Sequence, residues 1–228
     1  MPATTPSTTR IAIGIAAVIA LLVGVFVVIA LVQQREAAST ITTDDETGLP
    51  ELVLDESHRL DEVDEPAVTV VEFLDFECES CGALYPYVEE AREKYRGEIT
   101  YVVRYFPLPG HVNSMNAALA AEAASRQGAF EPMYHRLFET QGEWGENSVS
   151  TPEVFRAFAE QLGLDMARFD ADMADPAVAE RVAVDFNAGR AFGVAQTPTF
   201  FINGDYLQLT TVDSLDQAIA EALVADEG

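Results

Sequence analysis

Residues 67–76 read AVTVVEFLDF, a β-branched and aromatic run that ends just before Cys78. Such a run predicts a buried strand leading into a turn. The stretch ESCGALYPYVEEAREKY then places Leu84, Tyr85 and Val88 at helical spacing, with Pro86 expected to kink the helix and Gly97 to end it. Ile99 to Phe106 (ITYVVRYF) reads as a second strand, and a helical crossover forces the two strands to run parallel. This unit confines the chain to an α/β class.

The signals after it are helical from Val112 to about Phe192. Gly128 is placed to close an Ala-rich helix and Pro132 to open the next. Ser150 to Glu153 has capping-box spacing with a first-turn Pro152, and Asp175-Pro176 opens another helix. Thr199 to Ile202 and Tyr206 to Leu209 are short strand runs around Asn203-Gly204, a dipeptide that tolerates positive φ and predicts a hairpin. A last amphipathic helix is expected from about Asp213 to Val224.

Ahead of this domain, Ile11 to Val32 is a run of 22 apolar or small residues without a charge. As a helix it would measure about 33 Å, enough to cross a bilayer. The apolar part of a cleaved signal peptide is shorter and ends at a small-x-small site, so the run reads as an uncleaved signal anchor. The organisation expected is a tail over 1–10, an anchor over 11–32, a Thr/Ser/Ala/acid-rich linker over 33–50 and a folded domain over 51–228, with a helical insertion at about 112–192. Arg10 and Arg35 flank the anchor almost symmetrically, so charge does not orient it.

The formal charge is −25, and Lys94 is the single lysine among thirteen basic residues. No basic stripe exists to neutralise phosphates, which excludes nucleic acid as a partner.

The chain has two cysteines, three apart in FECESCG at the strand-to-helix junction. A thiolate there meets the positive end of the helix dipole and free backbone N–H groups, and its i+3 partner lies on the same face. The pair reads as redox-active. A structural disulfide would close too short a loop to stabilise much, and a metal site lacks ligands, since His58, His111 and His135 are scattered and read as ordinary surface or border residues.

The blocks VVEFLDFECESC, RYFPLPGH and TPTFFING, in this order, resemble DsbA-like members of the thioredoxin superfamily over about Ser57 to Leu209, roughly two thirds of the chain. The resemblance implies a thioredoxin fold with a helical insertion between its halves. It implies that Cys78 is the exposed nucleophile, Cys81 the buried resolving sulfur and Pro198 a cis-proline beside them, with Thr197 offering its backbone to an extended substrate. It also implies that Glu72 is a buried acid that trades a proton with Cys81; a Glu facing water from an edge strand is the competing reading. Phe76, Tyr85 and Phe106 are candidates for an apolar substrate groove, with core packing the alternative, and Trp144 for its rim or for cover over the insertion. The dipeptide Glu79-Ser80 departs from the Pro-His of strong oxidants in the family. A carboxylate at Glu79 is expected to oppose the thiolate and leave a moderate oxidant.

These readings converge on dithiol oxidation of exported, cysteine-containing proteins outside the cytoplasm. The chemistry needs no organic cofactor beyond the Cys78–Cys81 disulfide, and the resemblance implies that a quinone-linked membrane partner recharges it. A reductase or isomerase, for example in cytochrome maturation, uses the same exchange from the dithiol state, and a membrane-tethered chaperone with an incidental pair is the reading from another class.

Overall fold

The computed structural model describes residues 51–226. The expected tail, anchor and linker lie outside the described residues, and among these no helix is long and apolar enough to cross a membrane.

Five strands form one mixed sheet: β1 (His58–Asp61), β2 (Val68–Leu74), β3 (Ile99–Tyr105), β4 (Thr199–Ile202) and β5 (Asp205–Leu207), in the spatial order β1-β3-β2-β4-β5. β2 and β3 pair in parallel, with Val70 opposite Tyr101, and β2 pairs antiparallel with β4, with Glu72 opposite Phe200. The crossover between β2 and β3 is α1 (Glu79–Lys94), as the sequence pattern requires. Pro86 lies in the third turn of this helix without ending it, at the cost of the one bond its missing N–H would make to the preceding turn. β1 escaped the sequence reading: HRLD carries three polar residues of four, and only pairing against β3 makes it a strand.

The helices α2 (Ser114–Ser125), α3 (Phe130–Glu139), α4 (Gln141–Trp144), α5 (Pro152–Gln161), α6 (Met166–Met173) and α7 (Pro176–Ala191) lie between β3 and β4 in the chain, and α8 (Ser214–Asp226) follows β5. Asp175 caps α7 by accepting from Ala177 N–H. The expected capping box at Ser150 does not form: Thr151 is the N-cap of α5, and its N–H goes to Asn113 Oδ1 instead. Asn203 and Gly204 have φ of 50° and 93°, the positive values that a two-residue hairpin demands. The Asn203 side chain also bonds Thr69 N–H and Ala67 C=O, so the turn fastens the start of β2. The hairpin's second strand stops at Leu207 rather than Leu209, because the N–H groups of Thr210 and Thr211 turn to the Ser214 hydroxyl.

Side-chain alternation gives the sheet two faces. Val70, Leu74, Tyr101, Val103, Tyr105 and Phe200 pack in one core with α1 and most of the insertion. Val71, Phe73, Val102, Phe106 and Phe201 form the other, against Phe186 and Phe192. Each face also buries an acid. Glu72 lies on the α1 side. On the other, Asp185 of α7 meets Arg104 and Arg181 and accepts Tyr105 N–H at 3.1 Å. Arg104 is itself fully buried and donates to Leu52 C=O at 2.6 Å.

Candidate active site

Cys78 is the N-cap of α1, with extended backbone (φ −67°, ψ 122°), and its carbonyl accepts Gly82 N–H at 3.0 Å. The strand's end and the helix's start thus put this sulfur where the first-turn N–H groups have no helical partner. Both cysteines are free thiols and both are buried, Cys78 at 7% exposure and Cys81 at 2%, so Cys78 is not the exposed sulfur expected but only the less buried of the two. The Cys78 thiol lies 3.3 Å from the Thr197 carbonyl. As a thiolate it accepts from the Cys81 thiol, the Thr197 side chain and the N–H groups of Cys81 and Ser80, and these donors outweigh burial to bring it down to about 5. With Cys78 a thiol, the Thr197 hydroxyl is buried and has no hydrogen-bond partner among the described residues. Cys81 moves the opposite way: burial, its bond to Cys78 and the Glu72 charge push it well above an ordinary thiol. The pair is therefore split into one sulfur that ionises easily and one that holds its proton.

Glu72 is 2% exposed, which excludes the edge-strand reading. Tyr101 of β3 donates its hydroxyl to Glu72 Oε2 at 2.6 Å. Burial dominates over that bond and over the Arg92 charge, and pushes Glu72 up to about 7. Arg92 is engaged elsewhere, by Asp61, Glu89, Glu131 and the Leu60 carbonyl. No cation therefore pairs Glu72, and a carboxyl titrating near neutrality lies under the resolving sulfur.

Four residues hold the Cys78 loop, a role that sequence reasoning does not give them, although Asp75 and Glu77 mark the site as locally acidic. Asp75 is fully buried and accepts Glu77 N–H at 2.9 Å, Leu108 N–H at 2.9 Å and His111 Nδ1 at 2.7 Å. Glu77, also buried, accepts Asn113 N–H at 2.5 Å and Glu146 N–H at 3.2 Å, which ties the insertion to the loop. Gln141 of α4 donates to the carbonyls of Phe76 at 2.7 Å and Cys78 at 2.9 Å. A side chain at Gly82 would meet Gln141 Oε1 at 2.0 Å, so glycine is what allows this clamp. His111 was read as an ordinary residue, yet it joins the site through Asp75. The available signal was two acids, Asp75 and Glu77, inside an otherwise apolar approach to the cysteines.

The Thr197-Pro198 bond is cis, and a cleft of about 460 Å³ beside it is lined by Ser80, Thr197, Pro198, Tyr206 and Gln208 among others. Phe76 and Phe106 do not line it. Phe76 is 1% exposed and packs on Tyr105, Tyr134 and Phe138, while Phe106 is 2% exposed, on the other side of the sheet, and stacks on Phe186. A groove is lined by residues with surface to offer, and both rings have spent theirs in the core. Tyr85 stacks on Phe138 and meets His135 Nδ1 through its hydroxyl. Trp144 is buried inside the insertion and donates to Leu137 C=O. Glu79 is not among the groups that act most on Cys78. Its exposed carboxyl faces Glu146, and the two shift oppositely, Glu79 down and Glu146 up, as two carboxyls sharing a proton do. Among the described residues no cluster of three or more His, Cys, Asp or Glu side chains is arranged to hold a metal ion.

A family model described as Thioredoxin matches residues 64–221. The Na(+)/H(+) antiporter NhaA 3 of Salinispora tropica is 43% identical over 141 residues, 61% of this chain and 21% of the antiporter. The Na(+)/H(+) antiporter NhaA of Herminiimonas arsenicoxydans is 38% identical over 62% of this chain and 21% of its own length. The chain thus spans about a fifth of the length of these curated relatives. Among solved structures, a thioredoxin-like oxidoreductase from Silicibacter pomeroyi is similar at TM-score 0.63 and 26% identity, covering 75% of this chain and 94% of that one. BdbD from Bacillus subtilis (TM-score 0.65, 22% identity, 74% and 93% covered) and alpha-DsbA1 from Wolbachia pipientis (TM-score 0.66, 20% identity, 81% and 98% covered) share the fold.

Proposed function

This chain belongs to the thioredoxin family and is DsbA-like in architecture, and from that premise we propose that it is a thiol-disulfide oxidoreductase, that Cys78 and Cys81 are its redox pair and that it oxidises dithiols of exported proteins. In the disulfide form, a substrate thiolate attacks Cys78 Sγ, the S–S bond breaks, and Cys81 leaves with a proton supplied by Glu72. The substrate's second thiolate then attacks its own sulfur in the mixed disulfide, and Cys78 departs as a thiolate. Thr197 and the cis-Pro198 cleft hold the substrate backbone beside the sulfurs.

The observation that carries this direction is the split between the two thiols, with Cys78 near 5 and Cys81 far above it. A stabilised leaving thiolate favours the reduced enzyme and so makes its disulfide oxidising. Location outside the cytoplasm, on a single-pass anchor at 11–32, is supported by the length of that apolar run and by the oxidising compartment that such a disulfide needs. The matching domain also forms part of proteins named as antiporters, which supports membrane attachment. A quinone-linked oxidase in the same membrane recharges the pair.

Trapping tests the assignment. In cells, Cys81→Ser is expected to accumulate mixed disulfides through Cys78 while Cys78→Ser accumulates few, and the wild-type pair is expected to be mostly oxidised. Equal trapping by the two variants would reverse or remove the roles, and a pair found mostly as dithiol would turn the direction to reduction.

A further inference from the structure

The Cys78 loop is held by carboxyl groups. Asp75 and Glu77 are buried in it, Glu79 of α1 and Glu146 of the loop after α4 stand at its edge, and Cys78 adds a charge when it ionises. Among the described residues, the group that faces all of them and can carry a positive charge is His111, on the loop after β3. Its Nδ1 is 2.7 Å from Asp75 Oδ2, and its side chain is 27% exposed, so its proton is both held from inside and exchangeable with water. Asp75 cannot swing away, because its two oxygens also accept Glu77 and Leu108 N–H.

We propose that His111 is a redox-linked proton site, which takes up a proton when Cys78 becomes a thiolate and releases it when the disulfide re-forms. The inference rests on the reading of Cys78 and Cys81 as the exchanging pair. A substrate dithiol gives up two electrons and two protons as it closes its own disulfide. The electrons cleave Cys78–Cys81; one proton completes the Cys81 thiol, and the other, which would otherwise go to solvent, is held on His111 against the new Cys78 charge. When the pair is reoxidised, that charge disappears and so does part of what retains the proton. Partial burial works against the imidazolium, but the bond to Asp75 and the charges of Asp75, Cys78 and Glu77 prevail and raise His111 above its ordinary value. Removing the Cys78 charge removes one of these contributions, which gives the linkage its sign.

Two measurements on the soluble domain test this. The first needs no substitution: the imidazole titration of His111, followed by NMR, is expected to have a higher midpoint in the dithiol protein than in the disulfide protein, and identical midpoints would overturn the proposal. The second is the equilibrium with glutathione between about pH 6 and 8. Reduction that leaves a thiolate releases one proton, so without the linkage its constant rises tenfold per pH unit. His111→Gln keeps an N–H for Asp75 but cannot carry charge, and is expected to rise more steeply than the wild type, the shortfall from the full slope that remains being that of Glu72, whose carboxyl also feels the Cys78 charge. The wild type is expected to rise less steeply, with a constant about three- to tenfold above the variant at the acid end and merging with it at the alkaline end. A ratio that stays constant with pH would mark His111 as merely structural and sink the proposal. A wild-type pair that never exchanges with glutathione would instead overturn the reading of Cys78 and Cys81, and the inference with it.

Discussion

Two acids buried on opposite faces of the central sheet, Asp185 and Glu72, are satisfied in opposite ways. Asp185, against Arg104 and Arg181, has two guanidinium groups and a backbone N–H. Glu72, on the cysteine side, has one phenol hydroxyl and no cation. An acid surrounded by counter-charges is an ion that holds segments together: Arg104 also grips the chain at Leu52, and Arg181 reaches the Glu56 carbonyl. An acid left with a neutral donor in a dry setting is a proton store whose ionisation costs free energy. Burial alone therefore says nothing about role; the partners decide it.

The sharpest way to break this contrast is to neutralise each acid in place. Asp185→Asn leaves two buried guanidinium groups without their anion and is expected to cost about 3–5 kcal/mol of folding stability. Urea denaturation measures it, and a loss under about 1 kcal/mol would mean that the arginines find other partners. Glu72→Gln is expected to act with the opposite sign. The folded protein keeps the Glu72 proton up to about pH 7, whereas the unfolded chain loses it near the ordinary 4.5. Between those values the native state binds more protons, so its stability falls as pH rises, by about 3 kcal/mol across the window. In the disulfide form, where neither thiol titrates, the Gln variant is expected to lose this slope and to be the more stable protein at pH 8. Its exchange rate near neutrality is expected to fall about 10²-fold, since a neutral amide moves no proton. An unchanged slope would show that Glu72 is ionised in the fold. The mildest change, Tyr101→Phe, removes the donor that favours the Glu72 carboxylate. The carboxyl midpoint, read by NMR or infrared titration, is expected to move upward by an amount worth about 1 kcal/mol, and a downward move would contradict the bond.

Much of this fold is legible locally. The run from Ala67 to Phe76, the crossover helix and the Asn203-Gly204 turn follow from side-chain types and backbone preferences that act within a few residues. The thiol pair stands out for the same reason, since the strand-to-helix position of Cys78 is set locally, whereas Thr197, which also faces its sulfur, comes from 119 positions away. Partners that come from afar are not. His111 meets Asp75 across 36 positions and Gln141 meets the Phe76 carbonyl across 65, and no periodicity announces either contact. Phe76 and Phe106 show the same limit in reverse. Both are aromatic residues near strand ends, and only the packing of α3 and α7 against the two faces decides that they end up in separate cores. Glu79 was legible as a charge but not as a direction, because Glu146 reaches it from the insertion.

The carboxamide of Gln141 spans from the insertion to the carbonyls on either side of Glu77, and it occupies the space that any Cβ at position 82 would need. Positions 82 and 141 therefore constrain each other sterically: in this arrangement a residue larger than glycine at 82 requires the Gln141 amide to give way or a shorter side chain at 141. A substitution on the thiol helix is thereby felt in the insertion, and one in the insertion on the thiol helix.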